Sequence, residues 1–547
     1  MDQKLLDFQQ LAALYDKQYA PYEWKRDALG FDLLRLAPWL DRVRQTKNDI
    51  EFYEISAAYT ASLNDAHTAF LLPSDFAADL GFDVDIYDGK ALVEFIDSTT
   101  FRAFPFRIGD ELISVDGKSV ADWLKEFGKY VALANPRSTD RYAASLITFR
   151  RQLFYPRTSE VGNTATVVIR RRGAADPETY TMPWTKSGLP LTAEGPVPSP
   201  RLNSARKTAA AVVEDDSDNP DPFLTYLNPL RDLQNFRLPE PKSLVGWGSI
   251  NPVFRLGFPS TFVQRLGRSS ADFFFSGIYT VSGKRIGFLR IPSFTVSSQT
   301  AALRQLETEV TFMQANTDAL VLDVMRNPGG SLCYTEELLR RVVPYRYRAI
   351  GAEIRATRDW LISIHQTIED AESLGASQHT IDLFTAIETE LEIAYKQNRG
   401  RTNAVPLCNP YFERDPVTTA SGSLLAYSKP ALLLTDEFSA SAAEIFAAVF
   451  QDSQRGPLYG WRTTGAGGSV SGDMITGFYS ESASTVTQSI AVRTEQKISP
   501  EYGITPYIEN VGVVPDIKVD YMTEDNLLNS GKTFVDSFTA AVVSLIK

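Results

Sequence analysis

Cysteine is scarce in this chain, which has only two copies in 547 residues, Cys333 and Cys408. Two cysteines at this spacing cannot build a disulfide framework, and they cannot supply a cysteine-rich zinc module. The sequence leaves open whether the pair forms a single bridge or stays as two buried thiols.

Long apolar runs are also absent, since no stretch approaches the roughly 18 apolar residues of a membrane-spanning helix. Positive charge is in deficit, because 67 acidic residues outweigh 55 basic ones and leave a formal net charge of -12. This balance argues against nucleic acid and against an anionic membrane as partners. The chain opens on a polar amphipathic segment without a signal peptide, and we expect an exported mature chain, periplasmic or secreted.

Histidine is rare as well, with three copies at His67, His365 and His379. The last two lie in a helical stretch, where surface or packing roles are expected. No group of His, Cys, Asp and Glu has metal-ligand spacing. The glycine-rich segment 465–468 lacks the lysine and the spacing of a phosphate loop. The sequence therefore predicts no metal and no cofactor.

The composition is that of an ordinary globular protein, with 44% hydrophobic and 22% charged residues. Its length suggests roughly two to four domains. Hydrophobic periodicity and composition predict an N-terminal helical region, a β-rich unit, a linker rich in Pro and Asp, and an α/β unit with a helical insertion. The corresponding ranges are 1–78, 79–186, 187–245 and 246–547, with the insertion at 345–420.

The chain is organised around a serine-containing turn at residues 436–446. The apolar run 431–435 predicts a buried strand, and the alanine-rich run 442–450 predicts a helix. Ser439 and Ser441 therefore lie on a strand-to-helix turn, which places a hydroxyl beside the free N–H groups of a helix N-terminus. The simpler alternative is that either serine only caps the helix.

The β-rich unit has the pattern of a small peptide-binding domain. Residues 82–95 alternate as two strands around a turn, and residues 108–120 predict a turn, a strand, a hairpin and a helix start. This order resembles a PDZ domain, in which a GD-x-I-x-x-V-D-G element is a common marker; residues 109–117 read GDELISVDG here. A PDZ groove binds a peptide as an added strand. The long interruption at about 124–162 departs from the compact unit, so a β domain used only as a spacer stays open.

Four ordered stretches, at 321–330, 438–446, 460–468 and 511–517, together resemble the S41 serine peptidases, the family of the C-terminal processing proteases and the tricorn core. With the PDZ-like unit, the resemblance covers about residues 50–540. It implies a multi-domain α/β protein. The catalytic domain would be a crotonase-like spiral of ββα units, joined to a PDZ-like β domain and an N-terminal helical domain.

The general base departs from the commoner pattern of the family. Many members use a lysine about 25 residues after the serine, but this chain has Ala466 there and no lysine between Ser441 and Lys497. A serine hydroxyl is a poor nucleophile without a base. A second branch, which includes tricorn and the chlamydial protease-like activity factor, uses histidine and glutamate. His67 and Glu509 fall at the matching positions.

The resemblance implies a triad in which Ser441 attacks the carbonyl, His67 accepts and returns the proton, and Glu509 orients His67 and stabilises its charged form. A structural His67 and a solvated Glu509 are the alternatives. Glu501 competes with Glu509 as the third member.

The same reaction needs two preorganised N–H donors for the developing oxyanion. Ala442, at the helix start after the nucleophile, is one candidate. Gly329 or Gly330 is the other, because glycine lets backbone approach a tetrahedral centre closely. The alternative is that residues 327–330 form only a tight turn.

The sequence thus predicts a serine endopeptidase acting on unfolded or C-terminally exposed polypeptides. Two alternatives are an inactive binding protein, as in the interphotoreceptor retinoid-binding repeats on a related fold, and an ester or amide hydrolase with the same triad. The expected partner is a polypeptide substrate, and a homo-oligomer is compatible with the sequence. The helical insertion is a candidate lid by its position.

Overall fold

The computed structural model describes residues 2–97, 104–192, 234–237, 246–471, 474–477, 479–499 and 501–547. Most of the predicted linker at 187–245 lies outside the described residues. Thirteen α-helices occur in the described part of the chain. They are α1 (Asp2–Gln18), α2 (Tyr22–Leu29), α3 (Ala37–Arg44), α4 (Asp49–Ala61), α5 (Val120–Phe127), α6 (Pro136–Thr148), α7 (Gln299–Asn316), α8 (Leu332–Val342), α9 (Arg358–Ser373), α10 (Gln378–Lys396), α11 (Ala442–Asp452), α12 (Glu524–Leu528) and α13 (Lys532–Ser544).

The strands form one seven-stranded sheet, one six-stranded sheet and several smaller sheets. They are β1 (Phe70–Leu71), β2 (Ala77–Asp79), β3 (Phe82–Tyr87), β4 (Lys90–Ile96), β5 (Glu111–Val115), β6 (Lys118–Ser119), β7 (Phe149–Arg151), β8 (Thr164–Arg170), β9 (Glu178–Pro183), β10 (Thr185–Ser187), β11 (Asn235–Arg237), β12 (Val263–Gln264), β13 (Phe275–Val281), β14 (Lys284–Arg290), β15 (Ala319–Asp323), β16 (Gly329–Ser331), β17 (Tyr347–Arg348), β18 (Gly351–Ile354), β19 (Glu413–Arg414), β20 (Ala431–Thr435), β21 (Leu458–Gly460), β22 (Gly468–Val470), β23 (Met474–Ile475), β24 (Ala483–Ser484), β25 (Thr487–Ser499), β26 (Gly503–Tyr507) and β27 (Ile517–Lys518).

The N-terminal helices α1 to α4 dock on the rest of the protein. Their apolar core includes Phe8, Tyr15 and Tyr59, and it extends to Val486 in the C-terminal half of the chain. Helix α4 begins where the Asn48 side chain accepts a hydrogen bond from the backbone of its first turn, as N-cap residues do. The chain that follows α4 contacts the C-terminal half, where the Ala69 carbonyl accepts hydrogen bonds from the Thr485 N–H and the Ser484 hydroxyl.

The second unit is a sheet ordered β3-β4-β5-β8-β9, with α5 and α6 beside it. The interruption at 124–162 contains α6, which begins at an Asn135 cap. Arg141 on α6 donates to both carboxylate oxygens of Asp85 on β3, at 2.9 and 2.5 Å. The edge strand and the helix are thus joined by a buried ion pair.

The large C-terminal unit is built on the sheet β12-β13-β14-β15-β20-β21-β27. The pairs from β14 to β27 are parallel. Strands β15 and β20 are buried along their whole length, as expected for parallel strands covered on both faces. The carboxyl end of β15 leads into the glycine turn at residues 327–330, and that of β20 leads into the serine turn, so both turns open on one edge of the sheet.

The helical insertion packs on this unit. Trp360, Ile364 and Leu383 from α9 and α10 belong to its main apolar core. Cys333 and Cys408 form a disulfide with their Cα atoms 5.3 Å apart, which ties α8 to the part of the insertion that follows α10. No helix in the described ranges combines the length and the apolar character needed to cross a bilayer.

We predict that Arg141→Met destabilises the fold by about 3–5 kcal/mol, because it strands buried carboxylates at Asp85 and Glu437. Arg44→Met is the matched control, since Arg44 pairs with Asp41 on the surface and should cost less than about 1 kcal/mol. Chemical denaturation of both variants measures the difference. Equal unfolding midpoints for the two would contradict the prediction.

Candidate active site

The serine turn is strained at a single residue. Ser441 has φ 60° and ψ −116°, a backbone conformation that L-residues rarely adopt. It precedes α11, so Ala442 is the first helical residue. Ser439 instead donates its hydroxyl to the Val324 carbonyl at 2.8 Å, which anchors the turn to the end of β15. The geometry thus separates the two serines: one is held inside the turn and the other heads the helix.

Glu444 holds the turn in this strained shape. Its side chain is fully buried and accepts hydrogen bonds from the backbone N–H groups of Ser441, Gly465 and Ala466, at 2.9, 2.7 and 2.7 Å. It also accepts one from the Thr463 hydroxyl at 2.6 Å. Burial raises the pKa of this carboxyl to about 7, and the four hydrogen bonds oppose the rise. The sequence analysis did not identify this residue, although a glutamate three positions after a serine is the sign of a capping box.

His67 lies directly against the nucleophile candidate. Its Nε2 is 2.8 Å from Ser441 Oγ, and the ring is fully buried. Its backbone is fixed because its N–H donates to Asp65 Oδ1 at 2.8 Å and its carbonyl accepts from the Thr485 hydroxyl at 2.6 Å. Burial lowers the pKa of the imidazole to about 4; the charge of Lys25 adds to this effect and that of Asp65 opposes it. The ring is therefore neutral at pH 7 and can accept a proton.

Glu509 lies in the same buried cluster and is held by other groups. Its Oε1 accepts from Lys25 Nζ at 2.6 Å, and its Oε2 accepts from the Gly467 N–H at 2.9 Å. Within the described ranges, His67 Nδ1 has no hydrogen-bond partner. The structure thus brings Ser441 and His67 into contact, whereas the Glu509 oxygens bond elsewhere.

The pKa of Glu509 reflects this environment. Burial raises it to about 8; the charge of Asp65 acts in the same direction and that of Lys25 opposes it. Glu501, the competing carboxylate, has a half-exposed side chain and pairs with Arg462 at 3.1 Å. Lys25 was missed in the sequence analysis, because a lysine on a short polar helix carries no sign of burial.

The two glycines of the glycine turn differ in what their N–H groups face. The Gly329 N–H donates to Asn327 Oδ1 at 2.9 Å, so it is already engaged. Phe294 pairs with the carbonyl of Gly329 and the N–H of Ser331. Because backbone groups alternate sides along an extended chain, the Gly330 N–H points away from Phe294.

Gly330 also requires glycine for steric reasons. Its φ is 146°, and a Cβ there would lie 2.1 Å from the Phe294 carbonyl carbon. On its other side, strand β11 pairs antiparallel with β16, with Phe236 opposite Gly330. The Ala440 N–H donates to the Asn327 carbonyl at 2.9 Å, which joins the serine turn to the glycine turn. Within the described part of the chain, no three His, Cys, Asp or Glu side chains are grouped as a metal site requires.

Comparison with known proteins agrees with these observations. Residues 285–519 match the model of peptidase family S41, and residues 77–190 match a PDZ domain model. A protein of Chlamydia trachomatis is 25% identical, with 99% of this chain and 92% of that protein covered. A Chlamydia muridarum protein is 24% identical with the same coverage.

The crystal structure of mature CPAF has the same fold, with a TM-score of 0.76 at 20% identity. The match covers 100% of this chain and 98% of that one. The predicted family and the predicted multi-domain α/β class are confirmed. The chain is a serine peptidase of family S41 that carries a PDZ domain.

Proposed function

We propose that this protein is a serine endopeptidase that cleaves unfolded or C-terminally exposed polypeptides with Ser441 as nucleophile and His67 as base. The observation that carries the proposal is the 2.8 Å contact between His67 Nε2 and Ser441 Oγ. A general base must lie within hydrogen-bond reach of the proton it removes, and this imidazole is neutral at pH 7. A non-catalytic carrier would not need this contact.

The reaction would proceed by acyl transfer. Ser441 Oγ attacks the peptide carbonyl carbon while His67 Nε2 takes the hydroxyl proton, and a tetrahedral oxyanion forms. His67 then gives the proton to the leaving amine as the C–N bond breaks, which leaves an acyl-enzyme. Water, deprotonated by His67, attacks the ester and releases Ser441.

The oxyanion would be stabilised by the backbone N–H groups of Ala442 and Gly330. Ala442 is at the positive end of α11, where an anion is favoured. Gly330 is preferred of the two glycine candidates because the Gly329 N–H is bonded inside its own turn to Asn327, whereas the Gly330 N–H faces strand β11, whose place a substrate would take. Two such donors in a water-poor site stabilise the charge that develops on the carbonyl oxygen.

Glu509 would act as the third member by charge. Above its raised pKa of about 8, the ionised Glu509 carboxylate stabilises the imidazolium that forms when His67 takes the proton. Direct hydrogen bonding to Nδ1 is not required for this electrostatic effect. The full burial of Glu509, against the exposure of Glu501, supports this choice.

The expected substrate is an extended chain. Strand β11 already lies antiparallel along β16, on the side to which the Gly330 N–H points. The chain's own strand β11 occupies this edge of β16, so a substrate would add as a strand beside the glycine turn by taking the place of β11. Only an unfolded or terminal segment can present its backbone in this way, which favours such polypeptides as substrates.

We expect Ser441→Ala to abolish labelling by a fluorophosphonate probe. His67→Ala should lower kcat/KM on the order of 10⁴–10⁶-fold, as removal of either member does in serine peptidases generally. His379→Ala is the matched control, because that ring is exposed on α10 and should leave the rate unchanged. Retained activity in His67→Ala would remove the imidazole from the mechanism.

Replacement of each carboxylate tests the third member. Glu509→Gln should lower kcat about 10²–10⁴-fold with little change in KM, because the imidazolium loses its counter-charge. Glu501→Gln should leave kcat within about twofold of wild type, since an exposed charge is screened. Steady-state cleavage of an unfolded model substrate measures both, and the reverse pattern would assign the role to Glu501.

Glu444→Gln tests the clamp on the turn. The Glu444 carboxylate accepts hydrogen bonds from the N–H groups of Ser441 and Ala466, and a glutamine would turn its NH₂ group toward some of these donors. We therefore expect kcat to fall about 10–100-fold and the free energy of unfolding to fall by about 1–3 kcal/mol. Glu392→Gln on the exposed face of α10 is the control. Rates of probe labelling and thermal melting report the two effects. Unchanged labelling in Glu444→Gln would show that the strained turn does not need its clamp.

A further inference from the structure

The buried cation of the active site comes from the N-terminal helices. Lys25 is the one buried residue of α2, and its side chain is fully enclosed. Its ammonium donates to Glu509 Oε1 at 2.6 Å and to the Asn64 carbonyl at 2.8 Å. Helices that dock on a core normally bury an apolar side chain. This helix instead buries a charge, and that charge meets the acid–base cluster.

Burying the Lys25 ammonium carries a free-energy cost, which calls for a compensating contact or a function. Lysine is almost never fully buried unless it is paired, and desolvating an ammonium costs several kcal/mol. The neighbouring Trp24 indole donates to the Glu509 carbonyl at 3.1 Å, so α2 holds both the backbone and the side chain of Glu509. Two neighbouring residues of α2 therefore contact Glu509, one at its side chain and one at its backbone.

We propose that Lys25 is a positioning residue of the hydrolysis. Its ammonium fixes the Glu509 carboxylate and favours the reactive state, in which His67 is neutral and Glu509 is ionised. This inference rests on the proposed function, because it acts through two members of the proposed triad. Nothing in it requires Lys25 to touch the substrate.

The charges around the cluster fix the direction of the effect. His67 faces Asp65 and Lys25, and Glu509 faces the same two groups. The buried phenol of Tyr19, whose pKa burial raises, lies near Asp65 and Glu509. Lys25 lowers the pKa values of both His67 and Glu509. The two groups titrate as a coupled pair, so removing the Lys25 ammonium raises both apparent pKa values of the pair. The reactive state is then reached only at higher pH.

The test uses the full chain with Lys25→Met, Glu509→Gln and the double variant. We expect Lys25→Met to lower kcat about 10–100-fold, to change KM less than about threefold, and to move the acid limb of the kcat/KM profile upward by about one pH unit. In the Glu509→Gln background, the same substitution should change kcat less than about threefold, because the group it acts through is gone. Lys17→Met, an exposed lysine on α1, is the control.

An unshifted acid limb together with wild-type kcat in folded Lys25→Met would overturn the inference. The inference would also be overturned if the fold-losses in kcat of the two single variants multiplied in the double variant. Independent losses of this kind would give Lys25 a structural role only. If Lys25→Met does not fold, the double variant, which removes both charges, is compared with Glu509→Gln alone, and a large further loss of kcat overturns the inference. Failure of wild type to label at Ser441 would instead sink the proposed function, so the two failures are distinguishable.

Discussion

The contact between His67 and Ser441 is the interaction on which the rest of the site depends. It joins residues 374 positions apart in the chain, and it is only 2.8 Å long. A displacement of either side chain by about 1 Å would lower the rate of proton transfer strongly. The N-terminal helices, the turn after α4 and the parallel sheet must therefore keep fixed relative positions. The extensive burial around both residues is consistent with that demand.

Two strained turns are stabilised by contacts with each other and with buried side chains. Ser441 keeps a disfavoured backbone angle because Glu444 accepts its N–H, and Gly330 keeps an angle open only to glycine. The hydrogen bond from Ala440 to Asn327 joins the two turns. Strain of this kind persists where the surroundings over-determine it. The nucleophile candidate and the proposed oxyanion donor are thus positioned as one rigid assembly.

Local sequence predicted the elements that carry this assembly. Strand 431–435 and the helix from Ala442 followed from hydrophobic periodicity, whereas the choice of Ser441 and His67 followed from the resemblance to the S41 peptidases. The disulfide between Cys333 and Cys408, the Glu444 clamp and the burial of Lys25 could not be predicted in the same way. Each depends on distances between segments far apart in sequence, and one side chain in isolation does not encode its partner.

The docking of the N-terminal helices on the sheet unit limits how modular this enzyme is. The segment matched to the peptidase family begins at residue 285, yet His67 and Lys25 lie well before it. A fragment limited to the matched segment would keep its nucleophile and lack any imidazole at Ser441. On the proposed mechanism, truncation that removes the amino-terminal helices therefore acts as an off-switch, and transplanting the matched segment alone would transfer a scaffold without the proposed base.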